Sequence, residues 1–255
     1  MRRNRILQLL NDNRAAARQF NIVANADNEV TIYLYDVIVQ DDWFGGVAAE
    51  QFVRELAGIT ADVIHLRINS PGGDVFGARA MEAALRGHSA KIVAHIDGLA
   101  ASAASFLLMA ADEIEIADGG FVMIHNAWTI AWGNAADMRS QADLLDKIDA
   151  TLVKTYADRT GKPADEITSW MAAETWFNAD EAIANGFADR KAEFGNAQAS
   201  QANARTWNLG AFSNAPQPPA SSPALAPAAR QATPTLPPPP DFAAMRRRLD
   251  LANRT

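Results

Sequence analysis

The sequence predicts an α/β fold built around a mostly parallel sheet. Two observations lead there. Apolar, β-branched runs such as 63–69 and 91–96 alternate with runs of helical periodicity such as 75–86. This strand–helix alternation favours right-handed crossovers between parallel strands. The 255 residues are 49% hydrophobic and 21% charged, a balance that supports one substantial core.

The elements follow in chain order. Residues 1–20 form a basic segment with arginines at 2, 3 and 5. It reads as a short helix, frayed and solvated, with a docking arm or removable leader as the functional alternative. Asn11, Asp12 and Arg14 interrupt its apolar residues, so it lacks the core of a secretory signal. Globular patterning starts near Val23. Thr31–Val39 is a strand and Val47–Leu56 a helix. Val63–Asn69 is a strand that turns Ile64, Leu66 and Ile68 to one side, and Val75–Arg86 is a helix. The 91–96 strand leads through a corner of small residues, Gly98–Ser102, into a helix over 103–111. Two short strands follow, at 113–117 and 121–124. A long helix then starts at Asn134, a good cap, with Asp137 complementing its positive end. Leu145, Ile148, Leu152 and Tyr156 recur along it at helical spacing, and Gly161 and Pro163 stop it. At 1.5 Å per residue it spans about 40 Å. Such a helix either protrudes towards another subunit or lies across its own domain. Thr175–Phe177 is a short apolar segment, and a last helix runs from Ala179 to Asn185.

Beyond Gly195 the composition changes. Ten of the twelve prolines lie between 216 and 240. The predicted organisation is a basic segment (1–20), one catalytic-sized domain (21–195), a flexible Pro/Ala-rich linker (196–240) and a basic peptide (241–255) carrying Arg246, Arg247 and Arg248.

Composition removes several functions. A net charge of −7 argues against nucleic acid as the main partner. The absence of cysteine excludes disulfides, thiolate zinc sites and a thiol nucleophile, and fits a reducing cytoplasm. No apolar run reaches membrane-spanning length, so no membrane is expected. There is no Walker loop, no Gly-x-Gly-x-x-Gly opening a helix, no His-Glu-x-x-His and no Gly-x-Ser-x-Gly elbow. Neither a cofactor nor a metal is expected.

What remains is a set of parts for acyl transfer. Ser102 stands where a strand turns into a helix. There its oxygen can point outward, beside N–H groups that have no intrahelical acceptor. Alone it would read as a helix cap. Small neighbours and His125, at the end of the 121–124 strand, tip the balance towards a nucleophile and its general base. Ser105 is one helical turn away and is expected to bond its own helix. His65 and His95 lie within strands and read as structural, and His88 as solvated. Gly72 and Gly73 after Pro71 permit backbone conformations closed to other residues, and with Ala103 they can offer N–H groups to an oxyanion. A base needs an acceptor on its far nitrogen. Glu174, next to the apolar 175–177 segment, is the candidate, against the plainer reading of a solvated surface glutamate.

Three runs, Ile68-Asn69-Ser70-Pro71-Gly72-Gly73, Gly98-Leu99-Ala100-Ala101-Ser102 and Met123-Ile124-His125-Asn126, together resemble the ClpP family of serine peptidases. The stretch from Glu174 to Asp189 resembles that family's closing element. Four motifs stand in order across residues of about 25 to 190. The resemblance implies a ClpP/crotonase-like β-β-α superhelix with a protruding handle helix and a disordered Pro/Ala-rich C-terminal tail. It implies Ser102 as nucleophile, His125 as base, Gly73 and Ala103 as oxyanion donors and Gly72 as the shaper of that loop. Where the family has an aspartate this chain has Glu174, whose longer side chain needs a different backbone distance. A ring of identical subunits, heptameric or stacked in two, is implied as well.

The tail makes the chain look like the ClpP-related head maturation (prohead) proteases of tailed bacteriophages. That likeness implies scaffold and capsid precursor as polypeptide substrates, in the bacterial host cytoplasm or inside the assembling head. Three alternatives stand beside it: a general ClpP subunit working with an ATPase unfoldase, an inactive scaffold on the same fold, and a crotonase-type acyl-CoA enzyme, which needs no Ser/His pair.

Overall fold

The computed structural model describes residues 4–13, 19–43, 45–193 and 207–216. The predicted basic peptide 241–255 and most of the predicted linker lie outside the described residues.

The chain opens with α1 (Arg5–Asp12), followed by β1 (Gln19–Ala24), β2 (Glu29–Tyr35), β3 (Ile38–Val39), β4 (Val47–Ala48) and α2 (Ala49–Ala57). Next come β5 (Val63–Ser70), α3 (Val75–Arg86), β6 (Lys91–Ala101) and α4 (Ala103–Leu107), which tightens into a single 3₁₀ turn over Leu108–Ala110. The second half holds β7 (Glu113–Ile116), β8 (Phe121–Ile124), α5 (Ala135–Thr160), α6 (Ala164–Ala172), β9 (Thr175–Asn178), α7 (Ala179–Ala184) and β10 (Arg190–Lys191).

The main sheet runs β1-β2-β5-β6-β7-β10, and β8 and β9 branch from β6. The pairs β2/β5, β5/β6, β6/β7, β6/β8 and β7/β10 are parallel; β1/β2 and β8/β9 are antiparallel. The predicted α/β class with a mostly parallel sheet is therefore what the chain adopts. The branch is what builds the site. The first half of β6 pairs with β7 and its last three residues pair with β8, so one long strand feeds two neighbours.

Side chains alternate across this sheet, and the alternation creates two cores. Ile64, Leu66, Ile96, Ala100, Val122 and Ile124 enter the main core with the helices. Leu99, Ala101 and Met123 project to the other face, into a smaller cluster completed by Leu9, Leu10, Trp207 and Phe212.

Three expectations change. Residues 5–12 are not a frayed terminus. Asn4 caps α1 by accepting the Leu7 N–H at 3.1 Å, and Leu9 and Leu10 are buried. The predicted linker does not begin uniformly at 196, because Trp207 and Phe212 are buried against the sheet. The Gly98–Ser102 corner is mostly strand: β6 continues to Ala101, and the turn is concentrated in Ser102. Small residues here serve close strand packing, which composition alone does not distinguish from a bend.

The long helix forms as expected. Asn134 accepts the N–H groups of Ala136 and Asp137, Asp137 returns a bond to the Asn134 N–H, and Gly161 ends the helix at φ 70°. Only Leu152 and Tyr156 of its 26 residues are buried, so its first half stands away from the main core. Asn134→Ala should lower the thermal midpoint of unfolding, at a cost of about 1 kcal/mol; an unchanged midpoint would mean the cap contributes nothing.

Candidate active site

The site is assembled by register. Ala100 pairs with Ser70 on one side and Val122 on the other, and Ala101 pairs with Met123. The chain segments following β5, β6 and β8 are thereby brought together at the C-terminal ends of parallel strands, where open α/β sheets place their sites. Ser102 is fixed by its N–H, which donates to the Met123 carbonyl at 2.8 Å. Its backbone is left-handed, at φ 53° and ψ −123°, a strained state for a residue with a side chain. That turn directs the hydroxyl to His125, and Ser102 Oγ lies 2.7 Å from His125 Nε2.

The loop after β5 closes around this pair. Ile38 N–H donates to the Gly72 carbonyl and Asp74 N–H to the Ile38 carbonyl, each at 2.8 Å. The residues flanking Gly73 thus make the bonds to β3, so the Gly73 N–H is turned to the opposite side, as in any parallel bridge. The Gly72 N–H is held by Ser70 Oγ at 3.1 Å, while Ser70 itself donates to the Asp36 carbonyl at 2.6 Å. Glycine is required at both positions. A Cβ on Gly72 would sit 2.7 Å from the Ala103 nitrogen and 2.9 Å from the Ser102 Cβ, and one on Gly73 would sit 1.9 Å from the Ile38 oxygen.

Ser102, His125, Gly73 and Ala103 line one pocket of about 200 Å³. Its far wall is apolar, with Phe106 from α4 and Leu144, Leu145 and Ile148 from α5. Ser105 is turned away from it. Its hydroxyl donates to the Ser102 carbonyl at 2.6 Å and lies 2.7 Å from the Tyr156 hydroxyl, so it braces the Ser102 backbone, close to the expected helix-directed role.

Glu174 is placed differently. It too has a left-handed backbone, at φ 51°. Its Oε1 accepts the Asn214 N–H at 2.7 Å, and its Oε2 lies 3.9 Å from the Arg5 guanidinium. Among the described residues the carboxylate makes no hydrogen bond to His125. The structure therefore brings together Ser102, His125, Gly72, Gly73 and Ala103, and leaves Glu174 engaged elsewhere. Phe212 and Asn214 were not singled out in the sequence, and Arg5 was read only as one of the arginines of the basic segment. Two aromatic residues, Trp207 and Phe212, in an otherwise small and polar stretch were the available signal.

Burial, and then the positive charge of Arg5, hold the His125 imidazole down to a pKa of about 4. His95 is also held at about 4, chiefly by burial. It is paired with His65 at 3.0 Å, and Glu29 and Glu115 each lie 3.0 Å from one of the two rings, in agreement with a structural role. A histidine with a lowered folded-state value binds fewer protons folded than unfolded. Its contribution to stability is complete above pH about 6.5 and is lost as pH falls towards 4. Replacing His125 by Gln should flatten the fall of the thermal midpoint across that window. Parallel curves for the two proteins would contradict the burial of the imidazole.

Comparison with known proteins decides the family. Residues 13–193 match the Clp protease family. The chain belongs to the Clp protease family. A relative from Prochlorococcus marinus, named ATP-dependent Clp protease proteolytic subunit 1, is 31% identical over 178 residues, which is 68% of this chain and 88% of the relative. The subunit 1 of Leifsonia xyli subsp. xyli is 28% identical over 176 residues, 64% of this chain and 89% of the relative. The subunit 2 of Tropheryma whipplei is 29% identical over 168 residues, 61% and 93% respectively. This is a family of serine-type peptidases. The matched stretch contains every sequence-predicted site residue of this Clp family chain, whereas α1 and residues 207–216 lie outside it. Among the described residues no helix is long and apolar enough to cross a membrane, and no cluster of His, Asp or Glu is arranged to hold a metal.

Proposed function

We propose that this chain is a serine endopeptidase that works through an ester on Ser102. The observation that carries this reading is the 2.7 Å contact between Ser102 Oγ and His125 Nε2, in a pocket that also presents the backbone of Gly73 and Ala103. His125 takes the Ser102 proton as Oγ adds to the scissile carbonyl. The carbonyl oxygen gains the negative charge and accepts the N–H groups of Gly73 and Ala103. The imidazolium then gives its proton to the departing amine, leaving the acyl ester, and water repeats the sequence to release the acid. Glu174 is the proposed acid partner of His125. The apolar wall from Phe106 and α5 favours a hydrophobic substrate side chain next to the cleaved bond.

The assembly we propose is a ring of identical subunits that degrades polypeptides delivered by an ATPase unfoldase. The relatives are named proteolytic subunits of an ATP-dependent protease, which supports this reading over capsid maturation. Head maturation rests on the Pro/Ala-rich tail alone, and that tail is largely outside the described residues. Purification from the native host separates the two: recovery with an unfoldase supports the first, and recovery with immature heads the second. For the chemistry, a fluorophosphonate should add to Ser102 of the full chain, located by mass spectrometry of the labelled peptide. Absence of an adduct in assembled protein would favour an inactive scaffold.

A further inference from the structure

The site is touched by two elements that flank the family-matched residues, and they hold each other. The Asn208 N–H donates to Asn13 Oδ1 at 2.8 Å, and Asn13 Nδ2 donates back to the Asn208 carbonyl at 3.2 Å. Around this reciprocal pair, Leu9 and Leu10 of α1 pack with Trp207 and Phe212 on the Met123 face of the sheet. Trp207 Nε1 donates to Asn69, at 3.1 Å to its side-chain oxygen. His125 follows Met123 by two residues and so continues the alternation onto this same face. Together α1 and residues 207–216 make a clasp on this face of the imidazole, and the start of α1, through Asn4 and Ile6, also lines the substrate pocket.

The clasp's contacts fall on the groups that matter to the base. The Phe212 ring stands edge-to-face with His125, with centroids 5.8 Å apart. Asn214 donates its N–H to Glu174 Oε1 at 2.7 Å, and its side chain is tied to the Ala173 carbonyl at 2.7 Å. Arg5 lies 3.9 Å from Glu174 and stacks over Trp128 at 5.6 Å. Among the described residues, the charged groups on the elements around the site are Arg5 from α1, Asp74 at the head of α3, Asp149 on α5, which accepts the Ala127 N–H at 2.7 Å, and Glu174 before β9.

Acyl transfer passes through an imidazolium, and each of these contacts works against one. Phe212 excludes water, Arg5 adds positive charge, and the one nearby carboxylate proposed to compensate is occupied by Asn214 and Arg5. The lowered proton affinity of His125 described above agrees with this arrangement. We infer that α1 and residues 207–216 form an autoinhibitory clasp, which keeps Glu174 from His125 while leaving the Ser102–His125 contact intact. Release of the clasp frees the Glu174 carboxylate to accept the His125 Nδ1 proton and moves Arg5 away. The inference rests on the peptidase reading and adds its regulation: the signal that lifts the clasp acts on α1 and residues 207–216, outside the family-matched stretch.

The test compares the full chain with Phe212→Ala and with Arg5→Gln, following the rate of fluorophosphonate addition to Ser102 as a function of pH. Phe212→Ala loosens the clasp; Arg5→Gln removes its charge and leaves its apolar packing in place, so a fold defect in the first variant does not decide the outcome. The expected result is faster labelling at pH 7, by about tenfold or more for Phe212→Ala and in the same direction for Arg5→Gln. The acid limb of the profile should rise in both from near 4 towards 6.5. Labelling of the full chain that is unchanged or slower in both variants, with the acid limb in place, overturns the clasp and leaves the peptidase reading standing. No adduct on Ser102 in any of the three proteins overturns the peptidase reading, and the clasp with it.

Discussion

Ser102→Ala should abolish peptide cleavage and fluorophosphonate labelling while the protein folds and assembles as before. In a serine–histidine unit, loss of the nucleophile costs on the order of 10⁶ in rate. The fold should survive because what the structure asks of residue 102 is mostly backbone: an N–H for the Met123 carbonyl and a carbonyl for Ser105. Alanine supplies both. Its left-handed conformation is no easier for alanine than for serine, so stability should change little. Intact mass before and after incubation, with a peptide assay alongside, checks the prediction. Residual cleavage within tenfold of the parent would place the nucleophile elsewhere.

Gly73→Ala should be comparably severe for a different reason. At φ 149° the position is hostile to any side chain, which costs about 1–3 kcal/mol by itself. The added methyl would also sit 1.9 Å from the Ile38 oxygen. No neighbouring side chain can yield there, because the obstacle is backbone held by the 2.8 Å bond from Asp74. The loop must move, and the Gly73 N–H proposed to face the developing oxyanion moves with it. Loss of one such donor typically costs about 10²–10³ in rate. The expected outcome is a lower thermal midpoint together with at least that loss of labelling rate. A variant of normal stability and normal labelling would remove Gly73 from the oxyanion role.

Much of this was legible before the fold was known. Val75–Arg86 has the helix bounds expected from periodicity, and the caps at Asn134 and Gly161 sit where local chemistry puts them. These features depend on neighbours within four residues, which the sequence displays directly. The α6 helix and β1 were not singled out. Ala164–Ala172 offers no strong side-chain cap, and β1 gains its identity from pairing with β2. The site was legible through Ser102, His125 and the Pro-Gly-Gly turn because each carries a local signal: a hydroxyl after a strand, an imidazole after a strand, and consecutive glycines.

Glu174 shows the limit. Its position was readable, but its partner was not. The carboxylate is met by a backbone N–H 40 residues away and by an arginine from the opposite end of the chain. No periodicity or motif encodes such contacts.

The α/β class, the ends of the long helix and the residue types available for acyl transfer could all be read along the chain. Those follow from side-chain alternation, capping and chemical identity, all of which are local. Tertiary structure was needed to settle that one strand would serve two neighbours, that Ser102 would take up the turn alone, and that α1 and residues 207–216 would pack together beside His125. These depend on register and on burial shared between distant segments, and such free energies exist only once the chain has closed on itself.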